Sequence, residues 1–121
     1  MTERAYLLAW LKAFLFTLAV ELPIASALFR KAEPRLARRL ALAFFANLGS
    51  HPAVWLIFPA IGLSYETTVT ISEAWAFGIE AIFFAVVFEK SGPLHAAAVS
   101  ALANGASYGL GLLVRHFTGW V

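Results

Sequence analysis

Ionisable and amide side chains interrupt every long apolar stretch of this chain, and they recur at helical spacing. Thr17 and Glu21 are one turn apart in the first stretch, and Asn47 and His51 are one turn apart in the second. Glu73 and Glu80 fall seven residues apart in the third, nearly on one helical face. Ser100, Asn104 and Ser107 share a face in the fourth, which continues to Gly111.

Imidazole together with carboxylates suits a divalent metal such as zinc, iron or manganese. Glu21, His51 and Glu80 are therefore the expected metal ligands. Thr17, Asn47, Glu73, Ser100, Asn104 and Ser107 are the expected supporting polar partners. The same set suits proton handling, because a carboxyl near His51 can exchange protons with it.

Plainer accounts compete with both. Ser100, Asn104 and Ser107 can simply join neighbouring helices, at about 0.6 kcal/mol per hydrogen bond. A lone histidine is more often a satisfied structural group than a ligand. The glutamates resist such an account, since an ionised carboxylate at mid-membrane costs about 2.5–3.5 kcal/mol and marks function by default. Lys12 does not pair with Glu21, because nine residues of helix set them on opposite faces; it is expected to reach toward the headgroups.

Local catalytic motifs are missing. There is no His-Glu-x-x-His, no Gly-x-Ser-x-Gly and no phosphate-cradling glycine loop. The chain has no cysteine, which excludes disulfides, thiolate metal sites and cysteine nucleophiles.

The elements that must position these residues follow from composition. Of 121 residues, 61% are hydrophobic and 13% charged, too apolar for a soluble domain of this size to hide. Four apolar runs, about 5–29, 40–63, 69–88 and 94–117, are each long enough to cross a bilayer core of about 30 Å. Spans in lipid must satisfy their own backbone, so they are helices, and no barrel-like alternation is present. Counted at 1.5 Å per residue, Glu21, Asn47, His51, Glu80 and Asn104 reach a common middle depth, with Glu73 nearer one surface.

Short connections imply antiparallel neighbours. The expected fold is all-α, an integral membrane up-down four-helix bundle forming a single transmembrane domain over 1–121. The first connection carries Arg30, Lys31, Arg35, Arg38 and Arg39, and the third carries Lys90. The positive-inside rule makes those loops cytoplasmic and both termini non-cytoplasmic, with Trp10, Trp75, Trp120, Tyr6 and Tyr65 toward the outer surface. Residues 1–27 also admit a signal-peptide reading ending at Ala25-Ser26-Ala27, but Lys12 interrupts the apolar stretch and a basic stop follows it, so retention is expected. No repeat of 20–50 residues stands out, and the two halves do not align by eye.

Pro23 and Pro52 free the carbonyls of Ala19 and Leu48 beside Glu21 and His51, and kink their helices. Gly105 and Gly109 form a small-xxx-small pair for close helix approach, within the bundle or across a dimer. The basic residues show no nucleic-acid footprint.

The expected function is binding or conduction of a cation or protons at a midplane site, in a bacterial cytoplasmic (inner) membrane, with the bilayer and a second copy or another membrane protein as partners. Two alternatives stand beside it. One is an assembly or scaffold subunit using intramembrane polar contacts. The other is a metal-dependent enzyme using metal-bound water with Glu73 or Glu80 as base, which the missing motifs count against.

Overall fold

The computed structural model describes residues 2–120. Four helices account for most of them: α1 (Glu3–Leu28), α2 (Leu36–Pro52), α3 (Tyr65–Val87) and α4 (Pro93–Thr118). Local chemistry sets their ends. The Thr2 hydroxyl caps α1 by accepting from Ala5 N at 3.1 Å, and Ser64 Oγ caps α3 by accepting from Thr67 N at 3.2 Å. Gly92, at φ 84°, turns the chain into Pro93 at the head of α4.

The helices exceed the apolar runs. α2 starts at Leu36 rather than near 40, because Arg38 and Arg39 occupy a helical turn that hydropathy leaves out. Beyond Pro52 the second span is no longer α-helical: a π-helical turn, Ala53–Ile57, leads into a 3-10 turn, Phe58–Ile61. Proline lacks the N–H that would bond Leu48, and a widened turn absorbs the misfit. Taken together, Glu3–Leu28, Leu36–Ile61, Tyr65–Val87 and Pro93–Thr118 are each long and apolar enough to cross a membrane.

Each helix packs on two neighbours, in the cyclic order α1–α2–α3–α4. Long-range contacts fix the directions. The Tyr6 hydroxyl, at the start of α1, donates to Trp55 O beyond the end of α2 at 2.6 Å. His95 Nε2, at the start of α4, donates to Leu28 O at the end of α1 at 2.8 Å. Successive helices are therefore antiparallel.

Polarity runs from inside to outside in the reverse of a soluble domain. Glu21, Asn47, Ser50, Ser72, Glu80, Ser100 and Asn104 are buried, whereas Leu15, Phe45, Ile82, Val86 and Leu102 are exposed. At the basic-loop end the interior is apolar. Phe29 stacks on Phe88 at 4.1 Å between ring centroids and meets Phe84 at 5.0 Å, with Ala25, Ala43, Ala46, Ala96 and Val99 packed around them. The loop itself is tied by Glu33, which accepts from Arg35 N at 3.1 Å and Arg35 Nε at 2.8 Å.

The two hairpins also carry matching residues at a few corresponding positions. α1–α2 and α3–α4 are hairpins of the same direction, and the cyclic order relates them by an approximate two-fold axis along the bundle. Tyr6, Glu21 and Phe29 recur 59 positions later as Tyr65, Glu80 and Phe88. Ala46-Asn47-x-x-Ser50 recurs 57 positions later as Ala103-Asn104-x-x-Ser107. The step changes by two because the second hairpin's loop is two residues shorter.

Candidate functional site

The polar residues expected at a common depth meet around a cavity of about 640 Å³ that all four helices line. Tyr6, Leu63, Tyr65, Arg115 and Trp120 surround its mouth at the end bearing both termini. Its inner end is reached at Glu21, Asn47, Glu80 and Asn104, and the phenylalanine cluster closes the bundle beyond them. The space is thus a vestibule open at one end.

Glu21 on α1 and Glu80 on α3 are each 1% exposed. Their carboxyl groups face each other, and each also meets the asparagine of its own hairpin, Glu21 with Asn47 and Glu80 with Asn104. Serines cross between the hairpins. Ser107 Oγ on α4 donates to Glu21 Oε1 at 2.7 Å, and Ser50 Oγ on α2 donates to Glu80 Oε2 at 3.0 Å. A serine has one proton to give, so the longer approaches to Asn104 O and Asn47 O, at 3.2 and 3.3 Å, are secondary. The reciprocal pairing is what the two-fold relation requires.

The asparagines are oriented by their own helices. Asn47 Nδ2 donates to Ala43 O at 3.0 Å and Asn104 Nδ2 to Ser100 O at 2.9 Å, which turns each amide oxygen away from its own helix. Three buried oxygens at the inner end have no hydrogen-bond partner among the described residues: Glu21 Oε2, Glu80 Oε1 and Asn47 Oδ1. No lysine or arginine pairs with either glutamate among the described residues, where the ion pairs are those of Glu33 with Arg35 and Arg38.

His51 belongs to a separate group higher on the wall. Trp10 Nε1 donates to His51 Nδ1 at 3.1 Å, and an indole can only donate. The ring proton therefore lies on Nε2, which faces Thr17 Oγ1 at 3.4 Å. Both ring nitrogens are engaged by α1. Glu73 is half-buried on the same cavity wall. Among the described residues, no three His, Asp or Glu side chains gather closely enough to hold a metal ion.

Of the residues expected from spacing, Thr17, Glu21, Asn47, His51, Glu73, Glu80, Asn104 and Ser107 line the cavity. Ser100 does not; its hydroxyl donates to Phe77 O at 2.8 Å and joins α4 to α3, as the plainer account of the serines holds. Spacing alone does not assign Ser50, Ser72 and the two mouth tyrosines to this site. The repeated Ala-Asn-x-x-Ser was the signal that would have found Ser50.

No family model, no curated protein and no solved structure matches this chain.

Proposed function

We propose that this chain spans a membrane and binds a cation or protons at the Glu21–Glu80 pair, as a transport protein or a component of one. The observation that carries the reading is a one-ended vestibule terminating at two facing, buried carboxyl groups with no basic side chain beside them. Such a pair needs positive charge to balance it in a low-dielectric interior, and a proton or cation entering from the vestibule supplies it. The closed apolar end then separates the site from the other side of the membrane.

By the positive-inside rule, the basic first connection and Lys90 in the third favour a cytoplasmic closed end with the mouth and both termini outside, and on this reading the membrane is an inner bacterial one. The test is reconstitution in liposomes with an internal pH indicator. Proton or cation flux is expected in the native protein and lost in Glu21→Gln and Glu80→Gln variants that retain their helical content. Flux unchanged in both variants would sink the reading.

Association with another chain is favoured by one observation. Gly105 and Gly109 have no neighbour within 4 Å of where a Cβ would lie, so this small-residue face of α4 does not pack inside the bundle. A homodimer joined there is expected to form a disulfide in a Gly105→Cys variant on mild oxidation.

A further inference from the structure

The inner end of the vestibule carries more than two acids. Asn47 is an amide, only 1% exposed, whose Oδ1 has no hydrogen-bond partner among the described residues and whose side chain meets Glu21. Its nitrogen has two protons, one given to Ala43 O and the other available to Glu21, and the atom left without a partner is the acceptor Oδ1. Glu21 Oε2 and Glu80 Oε1 are free in the same way. Three buried oxygens from α1, α2 and α3 thus lack a partner, and a buried acceptor left unpaired is costly.

We propose that Glu21 Oε2, Glu80 Oε1 and Asn47 Oδ1 form an oxygen-only site for a hard divalent cation of the calcium type, lying near the approximate two-fold axis. The inference rests on the cation reading above and replaces the mixed nitrogen–oxygen set expected from spacing with an all-oxygen one. Charge argues for a divalent ion, since two carboxylates without a basic neighbour are neutralised by +2 and left at −1 by a monovalent ion. Donor chemistry argues for a hard ion, since carboxylate and amide oxygens suit calcium, magnesium or manganese, and no imidazole nitrogen is free. Calcium fits better than magnesium, because it takes several oxygens in flexible geometry and surrenders its water more readily. Ser50 and Ser107 hold the opposite carboxylate oxygens, so each glutamate presents one oxygen inward with its direction already set.

Two protons satisfy the carboxyl pair's charge as well as one divalent ion does. Binding of the ion from the protonated site therefore releases up to two protons, with His51 of α2, Glu73 of α3 and Arg115 of α4 the other titratable or charged groups facing the cavity, and affinity rises with pH.

The experiment is equilibrium binding of radioactive calcium to chelator-stripped full-length protein in nanodiscs, with liposome proton flux measured in parallel. One ion per chain is expected, weakened at least about a hundredfold by Glu21→Gln or Glu80→Gln and about tenfold by Asn47→Ala. Asn47→Asp restores an oxygen at that position and is expected to recover binding, which separates lost ligation from lost folding. His51→Ala is expected to keep the affinity. Binding that survives both glutamate variants, or that fails in His51→Ala while the bundle stays folded, overturns the oxygen-only site. Absence of calcium binding alongside flux that still needs Glu21 overturns the site but leaves the proposed function standing. Absence of both overturns the two together.

Discussion

Removing one ring should open the closed end of the bundle. Phe29 lies at its centre, stacked on Phe88, tilted against Phe84 and edge-on to His95. Phe29→Ala strips those contacts and leaves a gap among residues that are otherwise fully packed. Such truncations cost about 3–5 kcal/mol in soluble cores. The lower figure suits a bundle in lipid, where packing rather than escape from water holds helices together. About 3 kcal/mol corresponds to a rise of roughly a hundredfold in the fraction of open plug. The chain has no cysteine, so a single introduced thiol reports without background. Ser72→Cys lies on the vestibule wall, about 10 Å from the start of α3. Glu3→Cys and Lys31→Cys, both exposed, mark the two ends. In oriented proteoliposomes a membrane-impermeant thiol reagent should modify Ser72→Cys only from the Glu3 side. Adding Phe29→Ala should accelerate modification from the Lys31 side about a hundredfold. Equal rates from both sides in the parent, or no acceleration in a double variant that keeps its helical content, would refute the one-ended vestibule and its aromatic plug.

Other expectations concern the site and the loop. Ser50→Ala and Ser107→Ala each remove the hydroxyl held by one glutamate, and the two-fold relation requires similar losses of about 0.5–2 kcal/mol in a detergent-denaturation series; grossly unequal losses would argue against equivalence. Trp10→Phe deletes the donor to His51 Nδ1, so nitrogen NMR of the ring should show a change in tautomer balance, whereas Thr17→Val should preserve the Nδ1 acceptor signature. Pro52→Ala returns an N–H opposite Leu48 O and is expected to raise thermal stability while moving Trp55 away from Tyr6, read as a shift in tryptophan emission. At the basic loop, hydrogen bonding to Arg35 holds the Glu33 carboxyl below the usual carboxylate range. Its folded value is depressed, so the loop contact persists above the ordinary carboxylate range and is lost as pH falls through the lowered value. Protection of the Arg35 amide, which donates to Glu33 Oε1, measured as its exchange rate relative to that of a free peptide at each pH, should fall on acidification over that interval and not on alkalinisation.

Much of this was legible from types and spacing. The four helices long and apolar enough to cross a membrane follow from the apolar runs, and Glu21 and Glu80 stand out because a carboxylate in such a run is expensive. The depth estimate brought Asn47 and Asn104 to the same level, where the structure has them. The destination of His51 was not legible, since spacing does not say that Trp10 will occupy its Nδ1. The irregular end of the second span was only half legible: Pro52 announces a break, but the π-helical turn depends on how Ala53–Ile57 pack. The correspondence between the halves is faint in the sequence because it is confined to a few positions, among them the buried Glu21, Phe29, Asn47 and Ser50. Tyr6, Glu21, Phe29, Asn47 and Ser50 have identical counterparts, while outward positions vary freely so long as they stay apolar. The two-residue difference in loop length also shifts the register between the first and second helix of each half.

The hydrogen bond between Ser107 and Glu21 joins residues 86 positions apart, and so sets an order of events during synthesis. A ribosome adds about 5–20 residues per second, so Glu21 emerges about 4–17 s before the hydroxyl that will hold it. Glu80 has no such delay, because Ser50 is made before it. On the proposed membrane reading, Glu21 then lacks its Ser107 partner until the fourth helix is inserted. Truncated chains ending before Ser107 should for the same reason be recognised as unassembled by membrane quality control.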